Sequence, residues 1–100
     1  MVTEHELKTW DPYWTAVDEG RKTFELRNND RGYQTGDILI LKRVTSDYPH
    51  YMLDAAGCRC SFAVQQAEVR VRVTYICHGG RWGLDDGWVC MGIVLEEEGA

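Results

Sequence analysis

The sequence predicts an α+β domain: a bent β-sheet of about five strands that closes into a small barrel, flanked by one or two short helices. Two observations carry this. One segment near the start has helical spacing between helix-start and helix-stop signals. The remaining apolar residues recur at period two or in short continuous runs, separated by turn residues. A chain of 100 residues closes one core and not two, so residues 1–100 are expected to form a single domain.

His5-Glu6-Leu7-Lys8 reads as a first short strand leading to Trp10. Asp11-Pro12 then supplies an N-cap acid and a proline at the first helical position, and Gly20 a left-handed stop. Between them Tyr13, Trp14 and Val17 fall three and four apart, on one apolar face. After Gly20 the alternation puts Phe24 and Leu26 on one face and Thr23, Glu25 and Arg27 on the other, which by polarity is the wet one.

Asn28 to Gly32 is a polar turn cluster in which Asn29 and Asp30 bond their own backbone. Gly36-Asp37 is a second turn, and Ile38-Leu39-Ile40-Leu41 is the continuous apolar run of a strand covered on both sides. Residues 45–66 read as an irregular excursion or hairpin, broken at Ser46-Asp47-Tyr48-Pro49 and Ala55-Ala56-Gly57. From Glu68, Val69, Val71, Val73 and Tyr75 alternate with Arg70, Arg72 and Thr74, a long strand with one wet face. A loop over His78 to Gly83 and a final apolar strand from Trp88 to Leu95 complete the chain.

Composition narrows the function. No apolar run approaches the roughly 18 residues of a membrane span, and the first residues lack a signal-peptide core, so a cytoplasmic protein without membrane contact is expected. A net charge of −5 argues against a broad basic surface for long nucleic acid. Glu96, Glu97 and Glu98 begin an acidic tail (96–100) expected to fray into water. Arg70 and Arg72 share a face and, with Arg81, read as a solvated strip balanced by Glu68 and Asp85. Cys58, Cys60, Cys77 and Cys90 do not follow the paired spacing of zinc knuckles, so neither metal nor cofactor is expected. Cys77 and Cys90 lie in apolar runs that suit a small hydrophobe.

The stretch Gly20-Arg21-Lys22-Thr23-Phe24-Glu25-Leu26-Arg27 concentrates charge beside apolar residues. Its G-x-K-x-x-E-x-R pattern resembles the signature of the ASCH domains of the PUA-like superfamily. The segments His5 to Lys8, Arg27 to Arg31, Gly36 to Leu39 and Val73 to Ile76 look like a short ASCH-like branch of unknown function, in the same order along most of the chain. The resemblance implies a small PUA-like barrel with a helix-flanked cleft, usually described as RNA-binding. It also implies an activity, since some small ASCH-like proteins hydrolyse the exocyclic amide of N-acylated cytidines with a lysine, a threonine and a glutamate. Lys22 matches the lysine. The threonine position holds Glu25, and the hydrolase glutamate has no aligned counterpart, so Thr9, Thr23 or Thr74 would have to supply a hydroxyl.

Amide hydrolysis on a cytosine needs an activated nucleophile or water, a proton for the leaving amine and a donor for the carbonyl oxygen. A lysine in a dry pocket beside Arg27 has its charged form disfavoured, so Lys22 can serve as the activated amine, with Glu25 as the proton shuttle and Thr9, Thr23 or Thr74 as the hydroxyl. Arg27, His5 and Lys8 are then expected at the substrate, with Trp82 and Tyr75 available to stack on a base. One geometric condition applies. Lys22 and Glu25 are three apart and would point to opposite faces of an ideal strand, so they converge only if Lys22 precedes the strand. The expected partner is a small nucleoside. The competing readings are a non-catalytic module for RNA or a modified nucleotide, a metal-free nuclease using the same lysine, and an ordinary wet strand face with Lys22 in solvent. No pattern specifies an oligomeric state.

Overall fold

The computed structural model describes residues 2–46 and 62–96. Cys58, Cys60, the middle of the predicted excursion and residues 97–100 of the tail lie outside the described residues. In chain order the elements are β1 (Glu4–Trp10), α1 (Asp11–Asp18), β2 (Phe24–Asn28), β3 (Ile38–Ser46), β4 (Phe62–His78) and β5 (Trp88–Leu95). No helix among the described residues is long and apolar enough to cross a membrane.

The strands form one sheet in the order β1-β3-β4-β5-β2, with β1 parallel to β3 and the other neighbours antiparallel. β1 and β2 are therefore the two edges. The sheet curls until these edges approach, and Arg27 on β2 donates from Nη2 to the Lys8 carbonyl on β1 at 3.2 Å. The result is a curled half-barrel. Its seam is spanned by side chains where a closed barrel would have a backbone ladder.

Inside the curl lie Leu7, Leu39, Leu41, Val71, Val73, Val89, Met91 and Ile93, with Trp14 and Val17 of α1 packed onto them. Trp14 pins the helix by donating from Nε1 to the Leu41 carbonyl at 2.8 Å. The 38–41 run is covered on both sides, as expected. Leu39 and Leu41 face the core, whereas Ile38 and Ile40 are buried on the opposite face, beneath long charged side chains. Arg70 on β4 reaches across β3 to Glu4 on β1 at 2.6 Å, and Lys42 sits 3.4 Å from Glu68.

Several expectations are corrected. The helix N-cap is Trp10, with no side-chain cap bond, and Asp11 opens the helix. The Asp11 carboxylate is engaged by Arg43 and by Thr15 Oγ1. Trp14 and Val17 are buried, but Tyr13 is exposed. The ends of the 45–66 excursion are regular, since Thr45 and Ser46 pair with Ala63 and Phe62. A bulge between Val73 and Tyr75 breaks the alternation of β4, so Tyr75 turns outward and is 71% exposed. Cys77 and Cys90, paired in register on the same outer face, are free thiols, exposed and half-buried respectively. Glu96 is held in place: its amide donates to the Arg70 carbonyl and its carboxylate pairs with Arg72.

β2 is inverted relative to the polarity of its residues. Phe24 and Leu26 are 43% and 49% exposed, and Glu25 is 3% exposed. The inward side of β2 faces the open seam, where an acid and a base can satisfy one another.

Candidate functional site

The site begins where α1 ends. Gly20 has φ +79°, and the amides of Arg21 and Lys22 both donate to the Ala16 carbonyl, at 2.8 and 3.0 Å. This left-handed stop fixes Lys22 against the end of the helix, two residues before β2 starts. Lys22 thus precedes the strand, the condition for convergence with Glu25. Its Nζ donates to Glu25 Oε1 and to the Phe24 carbonyl, both at 2.6 Å.

Glu25 lies opposite the fully buried Met91. Its second oxygen, Oε2, accepts from Arg27 Nε at 2.9 Å. Arg27 Nη2 then bonds Thr9 Oγ1 at 3.1 Å as well as the Lys8 carbonyl. A continuous polar chain therefore runs Lys22–Glu25–Arg27–Thr9 across the seam. Among the described residues no buried side-chain polar atom lacks a partner. A carboxylate between two cations is the arrangement that makes its burial tolerable.

A cleft of about 530 Å³ opens over this chain. One wall is β1, through Lys8, Thr9 and Trp10; the other is β2, from Phe24 to Arg27; Tyr13 and Lys22 close the helix end. Trp10, Tyr13 and Phe24 keep 38%, 57% and 43% of their surface exposed there. Aromatic faces around a buried charged group suit a flat, polar-edged ligand such as a nucleobase.

Of the residues singled out from the sequence, Lys8, Lys22, Glu25 and Arg27 line the cleft. Of the candidate hydroxyls, Thr9 joins them and the other two do not. Thr23 is exposed beside a separate hollow with Val17, Val71 and Ile93. Thr74 sits at the β4 bulge against Gly92, whose backbone leaves room for its hydroxyl: a Cβ there would meet Thr74 Oγ1 at 2.9 Å. His5 is buried elsewhere on β1. It bonds Asp37 Oδ2 at 2.9 Å, stands edge-on to Tyr33, and shares that carboxylate oxygen with the Gln34 amide, so it fastens the turn before β3. Trp82, 84% exposed, occupies a left-handed position at the β4–β5 loop tip, and neither it nor Tyr75 lines the cleft. Asn29 accepts from the Tyr33 amide, a turn role as expected. The cleft aromatics Trp10, Tyr13 and Phe24 escaped sequence reasoning because they lie on three elements that only the curl brings together.

A second hollow of about 280 Å³ continues the seam past Arg27, between Leu26, Trp88, Arg31 and Tyr33. Burial pushes the Tyr33 phenol above its ordinary value, opposed by the charges of Arg27 and Arg31.

Residues 4–93 match a domain of unknown function, DUF3850. A stretch of 41 residues is 46% identical to the uncharacterized 12.9 kDa protein in the GpA 3′ region of Escherichia phage P2. The match covers 41% of this chain and 38% of the length of that phage protein.

Proposed function

For a chain that belongs to the DUF3850 family, we propose an ASCH-like, PUA-like domain that hydrolyses the exocyclic amide of N-acylated cytidine nucleosides. The observation that carries this reading is the 2.6 Å contact between Lys22 and a buried carboxylate, inside an aromatic-walled cleft. A volume of about 530 Å³ falls within the usual range for small-molecule sites.

In this reading the base stacks among Trp10, Tyr13 and Phe24, and its acyl group reaches the Lys22–Glu25 pair. As the ligand enters, all but one water molecule leave the cleft, and the Lys22 proton passes to Glu25 along the contact between them. The neutral amine removes a proton from a water molecule, and the resulting hydroxide adds to the acyl carbon. The Thr9 hydroxyl, whose oxygen accepts from Arg27 Nη2, donates its hydrogen to the oxyanion. Glu25 returns its proton to the exocyclic nitrogen as the carbon–nitrogen bond breaks, releasing cytidine and the carboxylic acid and restoring the ion pair.

The competing reading is a base-binding module without turnover. It is favoured by the fact that both Glu25 oxygens are already engaged by cations. The two are separated by incubating the purified protein with N4-acetylcytidine, without added metal, and following cytidine release. Turnover that falls by about 100-fold or more in Lys22→Ala is the expected result. Binding of the nucleoside without release would make the cleft a recognition site only. Turnover unchanged in Lys22→Ala would remove this mechanism.

A further inference from the structure

The two hollows along the seam are not independent, since Leu26 and Arg27 line both. Leaving Lys8 aside, they present three cationic side chains, Lys22, Arg27 and Arg31, against two carboxylates, Glu25 and Asp30. The whole chain carries −5, so this groove is a local positive site on an acidic protein. A partly enclosed groove of that sign concentrates anions.

The donor inventory sharpens the point. Arg27 spends Nε on Glu25 and Nη2 on Thr9 and Lys8, and Arg31 spends Nη1 on the Glu6 carbonyl. Among the described residues, Arg27 Nη1 and the Nε and Nη2 of Arg31 make no hydrogen bond. Guanidinium groups present donors in a planar fork that matches phosphate oxygens. Leu7, Leu26 and Trp88 supply apolar surface beside them.

We propose that the ligand carries a phosphate beside its base, and that the smaller hollow holds this phosphate on Arg27 and Arg31 while the larger cleft holds the base. This rests on the reading of the cleft as a nucleoside site. The ligand is then a nucleotide or a nucleotide residue of a short chain, with the phosphate as the shared chemistry. Asp30 lines the same hollow, and its carboxylate disfavours an anion close to it.

The test is calorimetric titration of the full chain with cytidine, cytidine 5′-monophosphate and a cytidine dinucleotide, at low and at moderate salt. At least one phosphate-bearing ligand should bind about tenfold or more tighter than cytidine. That advantage should shrink as salt rises. A gain for the monophosphate identifies a free nucleotide; a gain confined to the dinucleotide identifies a phosphodiester, and either supports the phosphate site. In Arg31→Gln the ratio between phosphate-bearing ligand and cytidine should narrow, and a ratio that stays intact overturns the assignment of the hollow. Equal affinity for all three ligands overturns the phosphate site and leaves the nucleoside reading standing. Failure of all three to bind overturns the phosphate site, and the nucleoside reading is then decided by turnover of N4-acetylcytidine.

Discussion

Glu25 is 3% exposed and holds two cations, one on each oxygen. The Lys22 and Arg27 side chains are themselves only 16% and 23% exposed, so neither can retreat far into water. Removing the carboxylate leaves two like charges facing each other in a poorly solvated place. Glu25→Ala is therefore expected to lose about 3 kcal/mol of stability, the usual cost of breaking a buried pair from one side. Lys22→Met leaves Glu25 still paired with Arg27 and is expected to lose about 1 kcal/mol. Urea unfolding of the two variants beside the parent measures both. Equal, near-zero losses would mean that the triad is solvated, and with it would go the dry cleft that the proposed chemistry needs.

The turn between α1 and β2 sets where Lys22 stands. Gly20 has a positive φ and open space around its missing Cβ, so an alanine there meets only backbone strain, about 1–2 kcal/mol. Gly36, at φ +96° before β3, offers the same strain without contact to the cleft. Gly20→Ala and Gly36→Ala should thus lose similar stability in urea. Cytidine release should fall further in Gly20→Ala, because relieving the strain moves the Lys22 amide away from Ala16. Equal activity losses would show that this turn does not position the lysine. The same elements show what the sequence can carry. Period-two alternation located β2 and β4, an apolar run located β5, and the Asp11-Pro12 and Gly20 signals located α1. Alternation states which residues share a face and leaves open which face is inward, so the burial of Glu25 in place of Phe24 and Leu26 could not be read from polarity. The bulge that turns Tyr75 outward sets Thr74 against Gly92 on another strand, a neighbour that local alternation does not reveal. The Lys22–Glu25–Arg27 set was legible because the G-x-K-x-x-E-x-R resemblance that marks it lies within one short stretch, whereas spacing alone suited a wet strand face. Thr9, Trp10 and Tyr13 join it only through strand order, a long-range property.

At the scale of the molecule, the cleft is built from the two ends of the sheet. β1 is attached through β3 and β2 through β5, and no ladder among the described residues joins β1 to β2. Arg27 and Arg31 span the gap by donating to the Lys8 and Glu6 carbonyls, successive acceptors on the free edge of β1. Such a seam should open at a lower free energy than the β3–β4–β5 centre, as edges held by exposed side-chain bonds generally do. A ligand that touches both walls ties the edges together and raises the cost of that opening. Amide hydrogen exchange with a cytidine ligand at about ten times its dissociation constant should then slow β1, β2 and the Lys22 turn by about tenfold. The β4–β5 amides, which exchange through larger openings, should change less if the seam opens separately. Uniform slowing across all five strands would mean that the half-barrel opens only as a whole. Slowing confined to the β4–β5 loop around Trp82 would move the ligand to that exposed tip and away from the charged cleft.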